Sequence, residues 1–413
     1  MKYGLIGARL GHSFSREIHK KIADYDYELC ELDGGGVAEL MRRRDFSAVN
    51  VTIPYKETVI PMLDGMSPEA RRIGAVNTVV NRGGRLYGYN TDYSGAAGLI
   101  RHAGVVLKGK MVMILGTGGT SKTLHAVAAD MGAGEIITVS RTAGEGRVTY
   151  AEATSCHNDA DVIINTTPVG MFPHGDGCPI DISAFLHLTG VIDVIYNPLT
   201  TRLVAKARAR GIPAEGGLYM LAAQGVYASA LFLDKEPDKA DVDRVFREVF
   251  TEKRNIVLIG MPSSGKSTVG AQAAARLGRR YIDTDAIVEA EAGRSISEIF
   301  ADDGEAAFRE LERAAVAKAA AESGAVIATG GGAVLDPRNV DALKRNGIVL
   351  FLDRPLSMLS GTPDRPLARD GEALRRRFEE RYPIYCAAAD DIIPGAGSVD
   401  EVAAAVADRA ARI

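Results

Sequence analysis

One eight-residue run, Gly260-Met261-Pro262-Ser263-Ser264-Gly265-Lys266-Ser267, restricts the second half of this chain to very few folds. The apolar run Asn255 to Ile259 precedes it and reads as a buried parallel strand. Residues Val269 to Leu277 follow with the apolar spacing of a helix. Strand, glycine loop and helix in that order make a phosphate cradle. Loop N–H groups face phosphate oxygens, and the helix start adds its positive dipole end. Lys266 would reach the β/γ-phosphates and Ser267 would ligate Mg²⁺. A chance glycine-lysine turn is the bland alternative, and it would not need these flanks.

At 413 residues the chain exceeds one ordinary core and suggests two or three domains. A net charge of −4 implies no surface for polyanions, and the lack of Trp speaks against nucleic-acid stacking platforms. No nucleic-acid partner is expected. Cys30, Cys156, Cys178 and Cys386 lie far apart with no C-x-x-C pair, so they read as reduced thiols and not as disulfides or zinc ligands. The chain opens directly into a strand, Tyr3 to Gly7, so no signal peptide is expected. The most apolar stretch, Leu218 to Leu233, contains Gln224 and falls short of the roughly 20 residues that cross a bilayer. It reads as a packed helix, which leaves no membrane partner and a cytoplasmic location as the expectation. Oligomeric state stays open, with a homodimer among the options.

Short β-branched runs alternate with helical ones: Val112 to Leu115, Ile136 to Val139, Val162 to Asn165, Val191 to Val194, Ile256 to Ile259, Ala325 to Ala328 and Ile348 to Leu352. The fold class this implies is α/β with doubly wound parallel sheets. A charged helix, Asp238 to Phe250, ends the first series. The expected division is 1–250, a linker at 251–254, and 255–413. Within the first part, 1–95 plus 225–250 would form one lobe and 96–224 the other. Ser398 with Glu401 reads as a capping box that opens a C-terminal helix.

Met111 to Leu115 leads into Gly116-Thr117-Gly118-Gly119-Thr120-Ser121, and a helix follows to Met131. This is a dinucleotide loop of the G-x-G-x-x-small kind, and it makes residues 96–224 a Rossmann-type domain. The next strand ends in Ser140-Arg141-Thr142, where an NAD site usually places Asp or Glu. Arg141 offers a guanidinium to a 2′-phosphate, which favours NADP. Upstream stand Gly11-His12-Ser13-Phe14-Ser15, Asn50-Val51-Thr52-Ile53-Pro54-Tyr55-Lys56, Gly74-Ala75-Val76-Asn77-Thr78 and Asn90-Thr91-Asp92. Taken singly, Ser13, Ser15 and Asp92 could cap helices, and Lys56 could be a solvated charge.

Together with Gly216-Gly217-Leu218-Tyr219-Met220-Leu221-Ala222-Ala223-Gln224, these motifs resemble the shikimate dehydrogenase family over almost all of residues 1–250. The resemblance implies an α/β substrate lobe in which Ser13, Ser15, Thr52, Asn77 and Gln224 hydrogen-bond a polyhydroxy cyclohexene carboxylate, with Tyr196 nearby. It implies that Lys56 and Asp92 flank the reacting carbonyl carbon. NADP(H) would lie against Gly116, Thr117, Gly118, Gly119, Thr120, Ser140, Arg141, Thr142, Val194 and Gly217. Ketone reduction needs a hydride from the nicotinamide and a proton for the developing alkoxide. A buried lysine held by a carboxylate can donate that proton. The family often has a second basic residue three positions after Thr142; Glu145 stands there and Arg147 comes later, so a looser phosphate clamp is expected. The stretch from Ile22 to Asn50 is short, so the outer strands of the lobe are expected to be trimmed.

Residues 254–413 resemble shikimate kinase, a P-loop domain like the nucleoside monophosphate kinases. The resemblance places Ser263, Ser264, Gly265, Lys266, Ser267 and Thr268 around ATP, with Asp283 joining Ser267 in the Mg²⁺ sphere. In Tyr281-Ile282-Asp283-Thr284-Asp285, the spacing of two puts both carboxylates on one strand face. Asp285 would act on the substrate hydroxyl. Arg309, Arg381, Gly331 and Gly332 would hold the ring and its carboxylate, with Arg309 as a fork suited to it. Arg365 would swing in on a lid and stabilise the transferring phosphoryl group. That lid is short, and Gly361 stands where the family usually has an adenine-packing Arg. Weak or unselective nucleoside binding, with phosphate contacts intact, is the expectation. The two implied reactions are consecutive: 3-dehydroshikimate to shikimate, then shikimate to shikimate 3-phosphate. Two other readings stay open: a kinase half that only binds nucleotide and regulates, and a first half that reduces quinate or another hydroxy acid with NAD.

Overall fold

The apolar runs of residues 112–115 and 255–259 are buried on both faces, which requires sheets covered by helices on either side. The computed structural model describes residues 1–11, 13–359 and 371–412, and they fall into two units, Met1–Val249 and Phe250–Ile413. In the first unit, β1 (Tyr3–Gly7), β2 (Tyr27–Glu31), β3 (Ala48–Val51), β4 (Gly65–Met66), β5 (Thr78–Arg82) and β6 (Arg85–Tyr89) make one sheet, ordered β2-β1-β3-β5-β6-β4. This is the expected α/β lobe with a mixed sheet, because β5 runs antiparallel to both β3 and β6. Gly83 and Gly84, at φ 60° and 84°, join β5 to β6. So tight a connection can only reverse the chain. The outer strand is not trimmed. β2 pairs with β1 over five residues, from Tyr3↔Tyr27 to Gly7↔Glu31, and the helix Gly34–Arg43 still fits before β3.

A second sheet in the same unit contains β7 (Met111–Leu115), β8 (Glu135–Ser140), β9 (Arg147–Thr149), β10 (Val162–Asn165), β11 (Gly190–Asp193) and β12 (Ala214–Glu215). Its order is β12-β11-β10-β7-β8-β9, and every pairing is parallel. This is the doubly wound dinucleotide arrangement, with the chain reversing direction across the sheet between β7 and β10. The second unit holds β13 (Asn255–Ile259), β14 (Tyr281–Asp283), β15 (Val326–Ala328), β16 (Gly347–Asp353) and β17 (Asp391–Pro394), ordered β14-β15-β13-β16-β17 and all parallel. Here the reversal falls between β13 and β16. Alternate residues face opposite cores: Val257, Ile327 and Phe351 on one side, Leu258, Val326 and Leu350 on the other.

Helices cross the division drawn from the sequence. Residues 251–253 are not a linker but the last turn of the helix Lys239–Lys253, and β13 begins two residues later. Glu252 and Lys253 are good helix formers, so nothing stops the helix earlier. The limits at 95/96 and 224/225 fall inside the helices Thr91–His102 and Leu218–Leu233. These helices pack at glycines, where a Cβ on Gly95 would lie 2.8 Å from the Met220 carbonyl oxygen and 3.3 Å from Gln224 Cβ. All four cysteines are free, and Ser398 and Glu401 form the expected reciprocal cap. No described helix is long and apolar enough to cross a membrane.

Gly217 sits where a Cβ would overlap the Val194 carbonyl oxygen, although its φ of −73° suits any residue. Gly217→Ala is therefore expected to cost about 1–3 kcal/mol through overpacking. Urea unfolding should show a lower midpoint at unchanged slope; an unchanged midpoint would refute the steric account.

Candidate active sites

In the first unit, Lys56 and Asp92 meet. Lys56 follows β3 in a turn, and Asp92 lies in the first turn of the helix Thr91–His102, where the helix dipole favours an anion. Lys56 Nζ is 2.5 Å from Asp92 Oδ2, with side-chain exposures of 15% and 9%. Asn77 is held in place by the same helix: its Oδ1 accepts from the Thr91 N–H at 2.7 Å, and its Nδ2 donates to Thr91 Oγ1 at 3.0 Å. Behind it runs a buried polar chain. Tyr27 donates to Asn50 Oδ1 at 2.7 Å, and Asn50 Nδ2 donates to Thr78 Oγ1 at 3.0 Å. Gln224 donates to the Leu221 carbonyl at 3.0 Å and packs against Gly95, one turn from Asp92.

Ser13 and Ser15 form a second group, with Ser13 donating to Ser15 Oγ at 3.0 Å. Phe14, between them, carries the Tyr196 ring at a centroid distance of 5.3 Å. Their helix, Ser15–Ile22, packs on Gly225, whose Cβ would lie 2.8 Å from Ile18 Cγ2, next in sequence to Gln224. Thr52 lies over Gly7, with Cγ2 2.6 Å from the position of a Cβ there. The structure thus places the expected substrate residues in two groups: Lys56, Asp92 and Asn77 around the start of the helix Thr91–His102, and Ser13 and Ser15 beside Phe14 and Tyr196.

The glycine loop follows β7. Gly116 has φ 108°, and a Cβ there would sit 2.7 Å from Thr166 Oγ1, so both backbone and space demand glycine. A Cβ on Gly118 would meet nothing within 4 Å, which leaves Thr117 and Gly118 backbone open to a close-lying pyrophosphate. Gly119 and Thr120 open the helix Gly119–Asp130, and Lys56 Cδ lies 4.0 Å from the Cβ position of Gly119. These residues fit a dinucleotide beside the Lys–Asp pair. Arg141 is exposed after β8, Ser140 donates to the Thr142 carbonyl, and Arg147 folds back over Gly144. Val194 and Gly217 close the same edge, Gly217 donating to the Ile195 carbonyl at 2.8 Å.

In the second unit, Lys266 Nζ donates to the carbonyls of Gly260 and Met261, both at 2.9 Å, so it spans the loop from within. Ser263 adopts φ 65° and Gly265 φ 90°, Ser264 is buried, and Thr268 is exposed. Ser267 donates to Asp283 Oδ2 at 2.8 Å. Hydroxyl and carboxylate oxygens side by side suit Mg²⁺, whose other ligands would be phosphate oxygens and water. Among the described residues no cluster of three His, Cys, Asp or Glu could hold a metal unaided.

Asp285 is not on the strand face inferred from its spacing. β14 ends at Asp283, which caps the helix Thr284–Ala292 by accepting from the Asp285 N–H at 3.0 Å. The cap turns the chain, and Asp285 projects from the first helical turn. Its Oδ1 lies 2.6 Å from the Cβ position of Gly330. Glu312 Oε1 lies 2.9 Å from the same point, and Arg309 bonds Glu312 Oε2 at 2.7 Å. Burial pushes the Glu312 carboxyl up, against the pull of Arg309. Gly332 lies against the Arg309 guanidinium, and Arg381 donates to the Gly331 carbonyl at 3.3 Å. Gly331 abuts Pro262 of the phosphate loop, so the arginine cluster borders the nucleotide cradle. Arg365 and Gly361 lie outside the described residues.

A curated relative from Clostridium perfringens (strain SM101), a shikimate dehydrogenase (NADP(+)), is 34% identical over 265 residues, which cover 60% of this chain and 97% of the relative. The chain belongs to the shikimate dehydrogenase family. The substrate-binding domain model of shikimate dehydrogenase matches residues 5–79, and the shikimate kinase family model matches residues 262–411. Shikimate dehydrogenase 1 from Peptoclostridium difficile is similar in structure, with a TM-score of 0.56 and 34% identity, covering 60% of this chain and 97% of that one. Shikimate 5-dehydrogenase from Thermus thermophilus, solved with NADP(H) and shikimate, has a TM-score of 0.54 at 30% identity, covering 60% and 99%.

In this member of the shikimate dehydrogenase family several site-building residues carry no role in the sequence reading: Tyr27, Asn50, Thr78, Thr166, Asp193 and Glu312. Thr166 meets Gly116, and Asn165 ties its loop to Asp193, Nδ2 to Oδ1, at 3.0 Å. The turn Asn165-Thr166-Thr167-Pro168-Val169-Gly170 after a parallel strand is the signal that marks this second wall. Asp193 also accepts from the Ile195 N–H and the Thr201 hydroxyl, yet burial pushes its carboxyl up to about 7. The folded protein therefore keeps a proton that the unfolded chain releases near pH ~4. That stabilisation is fully present below pH ~4 and is lost as pH rises through about 7. Asp193→Asn should flatten the decline in urea midpoint between about pH 4 and about pH 7; a decline as steep as in the parent would refute this assignment.

Proposed function

We propose that the chain catalyses two consecutive steps, NADPH-dependent reduction of 3-dehydroshikimate to shikimate and ATP-dependent phosphorylation of shikimate to shikimate 3-phosphate. The observation that carries the first step is the largely buried Lys56–Asp92 pair lying against the glycine loop. NADPH supplies the hydride when bound. Lys56 holds a proton on Nζ and delivers it to the oxygen that becomes the alcohol, while Asp92 fixes the ammonium in place. Asn77, Gln224, Ser13, Ser15, Thr52 and Tyr196 orient the ring through hydroxyl and amide contacts. Arg141 favours the 2′-phosphate of NADP.

In the second step, Asp285 orients the substrate hydroxyl or takes its proton. Arg309 and Arg381 grip the carboxylate, with Glu312 holding one edge of Arg309. Lys266 and the loop amides carry the phosphate charge, and Ser267 with Asp283 would hold Mg²⁺. Arg365 adds its charge from the lid, on the strength of sequence alone. The short lid favours a second reading, a kinase half that binds nucleotide without transferring phosphate.

Supplying 3-dehydroshikimate, NADPH, ATP and Mg²⁺ and identifying products by mass tests both steps. Shikimate followed by shikimate 3-phosphate is expected; shikimate alone would leave the regulatory reading. Lys56→Ala should slow reduction by about 10²–10⁴-fold and leave phosphorylation of supplied shikimate intact. Lys266→Ala should do the opposite. Loss of both activities from either change would overturn the assignment of separate sites.

A further inference from the structure

β16 is the neighbour of β13 at the reversal of the third sheet, so the residue leaving β16 borders the phosphate loop. In open α/β sheets the crevice at such a reversal is where ligands bind. The residue is Arg354. Its Nη1 lies 3.3 Å from the position of a Cβ on Gly265. On its other side, its Cα lies 3.2 Å from the Cβ position of Gly395, in the turn after β17. The Gly395 N–H donates to the Asp353 carbonyl at 2.7 Å, and Tyr382 donates to Asp353 Oδ2 at 3.1 Å, which fixes the backbone on which Arg354 stands.

Among the described residues, Arg354 Nε is buried and has no hydrogen-bond partner, and Ser264 Oγ in the adjoining loop is in the same state. A buried donor without an acceptor is unfavourable, and an incoming anionic oxygen relieves it. Lys266 differs, being engaged with loop carbonyls. A planar fork of donors beside loop amides is suited to phosphate oxygens.

We propose that Arg354 is a nucleotide-binding residue, donating its fork to the phosphate chain of the nucleoside triphosphate from the β16 side of the loop. This rests on the ATP-dependent reading of the second unit. It also places positive charge on the nucleotide from a strand end and not from the lid, so affinity would come from the phosphates more than from the base.

The test uses the full chain, with Arg354→Gln and Arg354→Lys compared with the parent. ATP and ADP binding are measured by calorimetry, and KM for ATP and for shikimate by steady-state kinetics. Arg354→Gln is expected to weaken ATP and ADP about tenfold or more, raise KM for ATP, and leave KM for shikimate and the NADPH reaction within about twofold of the parent. Arg354→Lys should recover part of the loss, since charge returns without the fork. ATP affinity unchanged in Arg354→Gln would overturn the inference alone. So would a parallel loss of ATP and shikimate affinity with a lower thermal midpoint, which marks a structural role. A parent chain that binds neither ATP nor ADP would sink the kinase reading and this inference with it.

Discussion

Parallel pairing of buried strands is the constraint from which both nucleotide cradles descend. In a parallel ladder every strand ends at the same edge, and each return to the sheet needs a helix on one face or the other. Where successive helices change face, two neighbouring loops part and leave a crevice. That happens between β7 and β10 and again between β13 and β16. The buried runs of residues 112–115 and 255–259 enforce it, because such strands have no solvent-tolerant face. Glycine then brings the backbone up to the opening: Gly116 and Gly265 both have φ values that other residues rarely adopt.

Around these crevices the two candidate sites are built with different chemistry. The first unit presents hydroxyls and amides and a single ion pair, in which the carboxylate gains from a helix start. The second relies on charge at close quarters. Arg309 and the 2% exposed side chain of Glu312 form a tight pair beside Asp285 and Gly330. Removing one member of such a pair leaves the other charged and buried, so the pair is expected to act as a unit. Reduction needs one mobile proton in a mostly neutral pocket, whereas phosphoryl transfer needs charge spread over several oxygens.

Much of this is legible in the sequence because it is local. Strand, glycine loop and helix are contiguous, so both nucleotide cradles can be read directly. So can Lys56 and Asp92 as candidates, through the motifs that carry them. What escapes reading depends on distant partners. Tyr27 and Asn50 are separated by 23 positions and Asn165 and Asp193 by 28, and only folding brings them into contact. A period of two misplaces Asp285 because it assumes a continuing strand, and Asp283 ends that strand by capping a helix. The antiparallel β5–β6 hairpin has its sign in Gly83-Gly84, which a survey of apolar runs passes over.

The crossing of the helices Thr91–His102 and Leu218–Leu233 has a corollary for mutation. Asp92 and Gln224 project from the same two helices that weld the first unit together at Gly95, so their positions are tied to the integrity of the fold. Ser13 and Tyr196 sit outside regular helices, on segments whose backbones are less committed. Substitution at Ser13 or Tyr196 therefore disturbs the fold less than substitution at Asp92 or Gln224.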